Sequence, residues 1–355
     1  MRSKLTGAGR MQIPAHAYHS SAYYAHPNRH TMVEKEWLGA DLIFDLDADH
    51  LQGSEGVGYK EMLEMVKDQT RKLLDDFVLS DFGFDPQDVH IAFSGGRGYH
   101  IHVTEQSILS IGAAERRELV DYITGRGVEW DRLLLSQKVV GKQYGDRMFS
   151  TGDETTFYPT ETGGWRGKMG KGIVDLVHRL EGMERDEVIE DIRNSTTSRK
   201  VGRKEAGQLF DVLFEGERGK RQADRLIKSR NLEVFPNNKL RNIFLSYILD
   251  TQRIDLSGET DEPVTADVKR LIRLGGSLHG KTGFKVVSLN RDELDDFEPL
   301  RDALAFGDRP IKVNLARPMD VELGGARFRE KEGETELPEY AAVFGVCQKM
   351  VDRVG

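Results

Sequence analysis

The sequence predicts a mixed α/β (α+β) protein, with one core drawn from both ends of the chain and a mainly helical insertion between them. Three observations carry this. Short apolar runs alternate with an amphipathic helical pattern in the first 112 residues. Helical periods then dominate to about residue 251. Short strand patterns return after Asp261.

Residues 1–36 show little periodicity and are rich in His and Tyr, as in HAYHSSAYYAHPNRH. Ala40–Leu46 (ADLIFDL) reads as a buried strand, apolar on both faces, with acids at its exit. Tyr59–Phe77 follows as an amphipathic helix with Met62, Leu63, Met65, Val66, Leu73 and Leu74 on one side. Val89–Ser94 is a second strand, GGRG a turn, and Tyr99–Val103 resumes extended structure. Strand, helix and strand in that order make an α/β module.

From Ala113 to about Leu249 the helical segments are ERRELVDYIT, GIVDLVHRLEGM, RDEVIEDIR and KLRNIFLSYIL. Between the first two lies a polar, Gly-rich stretch, expected to be a mobile loop at about 144–172. Two basic runs follow, SRKVGRK at 198–204 and RGKRQADRLIKSR at 218–230. They could meet nucleic-acid phosphates, but exposed helix faces are the commoner reading of such runs. FKVVSL and PIKVNL are the late strands. The expected division is therefore a core of 1–112 with 252–345 and an insertion of 113–251.

Composition sets outer limits. Apolar residues make up 38% and charged residues 31%, and no stretch approaches the roughly 18 apolar residues that cross a bilayer. The first 30 residues lack an apolar signal core. A cytoplasmic location without membrane contact is expected. The single cysteine, Cys347, excludes an internal disulfide and any multi-cysteine zinc or iron–sulfur site in these 355 residues. A net charge of −8 argues against a wholly basic surface but leaves room for a local basic channel.

Three motifs carry chemistry. The first is Asp45-Leu46-Asp47, where side chains two apart on a strand share a face. Two carboxylates together repel unless a cation neutralises them, and Mg²⁺ or Mn²⁺ suits such hard oxygen ligands. Read alone, so short a pattern equally describes a strand running into an acidic loop, helped by Asp49. The second is Ser94-Gly-Gly-Arg97-Gly-Tyr-His100. Glycines bring backbone N–H groups close to phosphate oxygens, Ser94 adds a hydroxyl, Arg97 a charged fork, and His100 a further hydrogen bond. A Gly-rich hairpin turn is the alternative. Neither this turn nor GGWRGKMGKG at 163–172 contains a GxxxxGK phosphate loop. The third runs from Asp261 through Asp267, Arg270 and Arg273 to His279 and Lys281. Its cations suit a nucleoside triphosphate beside a metal. A solvated helix face with pairs such as Asp267–Arg270 accounts for the same charges.

Together AYHSSAYY, EKEWLGADLIFDLDADHL, AFSGGRGYHIHV and DEPVTADVKRLIRLGGSLHGKTG resemble the catalytic small subunit of archaeal and eukaryotic DNA primases, in its archaeal version. The resemblance implies template-directed synthesis of RNA or DNA primers on single-stranded DNA by a DNA-directed nucleotidyltransferase. Asp45, Asp47 and Asp261 would hold two Mg²⁺ or Mn²⁺ ions. Ser94, Arg97 and His100 would bind the triphosphate, with Arg270, Arg273, His279 and Lys281 as further nucleotide contacts; Asp267 is read as structural. It also implies an iron–sulfur large subunit as heterodimer partner. A primer-extending repair polymerase or an inert DNA-binding subunit would share these motifs.

Three departures from the family pattern stand out. Met1 lies just upstream of PAHAYHSSAYY, so a family segment with a Glu and an Arg is expected to be absent. GSEGVGYKEM occupies the place of a Cys/His zinc knob, so no zinc is expected. Gly275 replaces a usual proline, with only local stiffness at stake.

Overall fold

The computed structural model describes residues 16–50, 56–144, 147–215, 221–255 and 258–354. Residues 51–55, where the zinc knob would begin, and 216–220, in the second basic run, lie outside them. The chain divides into two units, residues 1–124 with 258–355, and 125–257. It is a mixed α/β protein of helices and several small sheets.

The first unit is built on a four-stranded antiparallel sheet in the order Val287–Leu289, Val89–Phe93, Gly98–Val103, Leu42–Asp47. Alternation gives the sheet two faces. Phe44 and Leu46 pair with Ile101 and Tyr99, and all four are fully buried or nearly so. They share the core with Leu63, Val66, Leu73, Leu74 and Phe77 of the Tyr59–Lys72 helix and its π-helical continuation, Leu73–Leu79. The opposite face carries Ile43, Asp45 and Asp47, and Ile43 clusters there with Val264 and Ile272.

Among the described residues, two buried cations, Lys67 and Arg116, fasten this unit. Lys67 Nζ donates to the carbonyls of Asp295 (2.8 Å) and Phe297 (3.0 Å). Arg116 is 1% exposed and donates to the carbonyls of Asp41 (2.8 Å), Ala40 (2.7 Å) and Ile111 (3.2 Å). These bonds tie the Ala113–Ile123 helix to the entry of the Leu42–Asp47 strand, so that helix belongs to the core unit. The insertion accordingly begins later than residue 113. The late strands also extend further than expected. Pro310–Leu315 pairs with Gly333–Pro338 and Val351–Val354, and Met319–Leu323 with Ala326–Glu330 forms a hairpin.

The second unit opens with a long antiparallel hairpin, Leu134–Tyr144 and Arg147–Phe157. Among the described residues five helices follow: Gly164–Glu181, Arg185–Ser195, Arg203–Phe214, Gln222–Ser229 and Asn238–Asp255. Within the stretch expected as a mobile loop at 144–172, the described residues include the hairpin's second strand and the start of a helix. Trp165, Met169, Ile173, Leu176, Val177 and Leu180 are buried on that helix at helical spacing. Its glycines serve close packing instead of flexibility. A Cβ on Gly167 would collide with the Thr162 carbonyl, and one on Gly170 with the Tyr158 carbonyl. In the basic runs, Arg203 pairs with Asp186 and Glu190, and Arg221 with Glu181 and Asp224. Among the described residues, no helix is long and apolar enough to cross a membrane.

Candidate functional site

The acid pair is placed by backbone pairing. Asp45 stands opposite His100 and Asp47 opposite Gly98, so both carboxylates leave one face of the strand. His100 Nε2 lies 3.2 Å from Asp45 Oδ1. Asp47 Oδ1 accepts the Asp49 N–H at 3.1 Å, which folds the chain after the strand. Asp261 comes beside them through its backbone, its N–H donating to the Asp45 carbonyl at 2.9 Å. The Thr260 hydroxyl reaches the same carbonyl at 3.3 Å.

The Gly-rich turn is a packed element. Ser94 N–H donates to the Gly98 carbonyl at 2.9 Å and closes the turn. Gly95 has φ +79°, in the left-handed region that a side chain strains. The Tyr59 hydroxyl donates to the Gly96 carbonyl at 2.8 Å. Burial holds that phenol well above its ordinary pKa. A Cβ on Gly98 would collide with the Leu46 carbonyl, so glycine here lets the turn's outgoing strand lie against the acid strand. Arg97 forms an ion pair with Asp49.

His279 lies against this turn: an added Cβ would come within 2.7 Å of it from Gly95 and 3.0 Å from Gly96. The Thr282 hydroxyl donates to the Gly95 carbonyl at 2.5 Å, so toward His279 Nδ1, 3.1 Å away, it can only accept. Nδ1 therefore carries the proton of the neutral ring, and Nε2 its lone pair. Burial, with Arg273, His16, Lys281 and Arg97 nearby, lowers the His279 pKa to about 4.

The third motif is a short helix and a strand, and its charges do not lie on one solvated helix face. Glu262–Ala266 is helical, Asp267 Oδ1 accepts the Lys269 N–H at 2.9 Å, and Leu271–Arg273 pairs with Tyr18–Ser20. Arg273 lies 5.3 Å from the Tyr18 ring centroid and 3.1 Å from His16 Nδ1. The Arg270 carbonyl accepts from Ser21 N–H and Oγ at 2.9 and 3.1 Å. Gln348 Nε2 holds the Lys281 carbonyl at 2.7 Å.

These segments border one cleft of about 830 Å³. Asp45, Asp47, Ser94, Arg97, His100, Arg270, Arg273, His279 and Lys281 all line it; Asp261 does not. Tyr18, Tyr59, Thr282 and Gln348 also line it and were missed from sequence. A Thr immediately before the last glycine of HGKTGF carried no signal of its own, because its role is a bond to a turn 187 positions away. The donor set fits a hard divalent cation at Asp45 and Asp47, two carboxylates on one strand face opening into a cleft with Arg and Lys. Among the described residues, no three His, Cys, Asp or Glu side chains already gather as a ligand set. The pair is the prepared part of the site, with Asp261 adjacent through its backbone.

A family model described as DNA primase small subunit matches residues 44–290. Several relatives bear the name DNA primase small subunit PriS. The one from Methanothrix thermoacetophila is 45% identical over 347 residues, 97% of this chain and 85% of its own. The Methanococcoides burtonii protein is 41% identical, covering 94% of this chain and 81% of its own. The Methanocella arvoryzae protein is 40% identical, covering 97% and 84%.

Proposed function

Because the chain belongs to the DNA primase small subunit family, we propose that it is a catalytic subunit making short RNA or DNA primers on single-stranded DNA from nucleoside triphosphates. The observation that carries this is the single cleft on which an acid pair, a packed glycine turn and a set of cations converge. Each part suits a different portion of the substrate.

The turn would take the phosphates. Its glycines expose backbone, and Ser94, Arg97 and His100 surround it. Arg270, Arg273 and Lys281 would neutralise the remaining phosphate charge. Asp45 and Asp47, joined by Asp261, would hold two Mg²⁺ or Mn²⁺ ions. Such ions, when bound, supply charge neutralisation for the attacking hydroxyl and for the departing pyrophosphate. Positioning and electrostatics are then the protein's whole share, as in other phosphoryl transfers. Family membership supports the further parts of the proposal: an iron–sulfur large subunit as heterodimer partner, a single-stranded DNA template, and work in the cytoplasm.

The test is primer synthesis on single-stranded DNA with nucleotides and Mg²⁺ or Mn²⁺, beside an Asp45→Ala/Asp47→Ala variant checked for folding by circular dichroism. New oligonucleotides that disappear in the folded variant are expected. Equal synthesis by the variant would overturn the metal assignment. Extension of an annealed primer without initiation would make the chain a polymerase instead.

A further inference from the structure

We propose that Tyr18, with Leu271 beside it, is the surface on which the base of the bound nucleotide packs. This rests on the reading of the cleft as a nucleoside triphosphate site. None of the charged groups described above offers a base a flat apolar face, and the ribbon of Tyr18–Ser20 and Leu271–Arg273 supplies one.

The register decides which side chains face the cleft. Tyr18 pairs with Arg273, His19 with Ile272, and Ser20 with Leu271. Paired residues share a face and successive residues alternate. Tyr18, Ser20, Leu271 and Arg273 therefore stand on one face and Ile272 on the other. Ile272 is 4% exposed and packs into the core with Ile43 and Val264, which anchors the ribbon from behind. On the outer face Tyr18 is 48% exposed and Leu271 62%, and both line the cleft with Arg273.

The chemistry of the face suits a nucleobase. Apolar surface within a charged cleft gains by being covered, and an aromatic ring stacks on any base because every base has a π-face. Sequence tolerance of this kind fits an enzyme in which the template, not the protein, selects the base. The Arg273 guanidinium over the Tyr18 ring fixes its orientation. It also puts a phosphate-binding cation next to the stacking surface.

Tyr18 could instead serve only to steady Arg273, and one comparison separates the two roles. ATP and inorganic tripolyphosphate, each with Mn²⁺, are titrated calorimetrically into the whole chain and into Tyr18→Ala and Tyr18→Phe. Base packing predicts that Tyr18→Ala weakens ATP roughly ten-fold and leaves tripolyphosphate unchanged, with Tyr18→Phe like the parent for both. Equal weakening of both ligands, or none for ATP, overturns the proposal while leaving the phosphate site standing. Failure of the parent chain to bind either ligand would remove the nucleotide site itself.

Discussion

Two walls of the same cleft are built on different terms. The wall bearing Asp45, Asp47 and the Ser94–His100 turn belongs to a four-stranded sheet backed by the Tyr59–Lys72 helix. The wall bearing Arg273 and Tyr18 is a ribbon of two three-residue strands with one face open. On the first, residues are positioned by backbone pairing and by glycines that admit no side chain. On the second, Arg273 is steadied by a ring and a histidine. Paired carboxylates must be held within fractions of an ångström to share a cation, whereas a cation facing a phosphate tolerates more latitude. On the proposed reading, the paired backbone of the first wall suits an acid pair that shares a cation, and the open ribbon suits a cation that meets a phosphate.

The sharpest way to break this contrast is Gly98→Ala. The new methyl would meet the Leu46 carbonyl with only backbone to give way, so destabilisation of about 3 kcal/mol is expected in urea unfolding, with loss of primer synthesis. A change below about 1 kcal/mol would mean that the sheet wall yields as easily as the ribbon.

Acid should act next most strongly. His102, behind His100 on the sheet, has its pKa lowered to about 3 by burial first and by His100, His19 and His90 after it. His279 is lowered to about 4. Both folded values lie below the 6.5 of a free imidazole, so below that pH the unfolded chain binds protons that the folded chain refuses. This stability is complete above about 6.5 and is lost as pH falls toward 4 and 3. Unfolding midpoints measured from pH 7.5 to 4.5 should fall, and His102→Asn should flatten part of the slope. An unchanged slope in that variant would acquit His102.

Thr282→Val sharpens the comparison where the two walls meet. It removes the hydroxyl between the Gly95 carbonyl and His279 Nδ1. A loss of about 1–2 kcal/mol in unfolding is expected, along with weaker tripolyphosphate binding. Unaltered phosphate affinity would show that the turn holds its shape without His279. The smallest effect belongs to Asp49→Asn, which frees Arg97 from an exposed ion pair. Stability should move by less than about 0.5 kcal/mol, while tripolyphosphate binds roughly three-fold tighter at low salt. Weaker binding would give Asp49 a part in holding Arg97 for phosphate.

Local patterns in the sequence reached the sheet wall well. Strand alternation put Asp45 and Asp47 on one face, and the glycines between two strands marked a turn. The ribbon wall was harder, because Tyr18 and Arg273 are paired by contacts between opposite ends of the chain. The charges at 261–281 left a nucleotide-binding cluster and a solvated helix face open, because nothing local shows that Ile272 is buried against Ile43. The segment 163–172 misled for a related reason. Glycine signals freedom only until another backbone lies against it, and Tyr158–Thr162 crosses that helix where Gly167 and Gly170 leave room. Asp261 was placed by resemblance, and its link to Asp45 is a backbone bond that no side-chain pattern could announce.

The Gly258 N–H donates to the Ile123 carbonyl at 2.9 Å, so the chain leaves the core and re-enters it at one point. All of residues 125–257 is an excursion from that junction. Closing such a loop costs an entropy that grows only with the logarithm of its length, and doubling it would cost about 0.6 kcal/mol. The core is therefore nearly indifferent to how much polypeptide passes between Ile123 and Gly258.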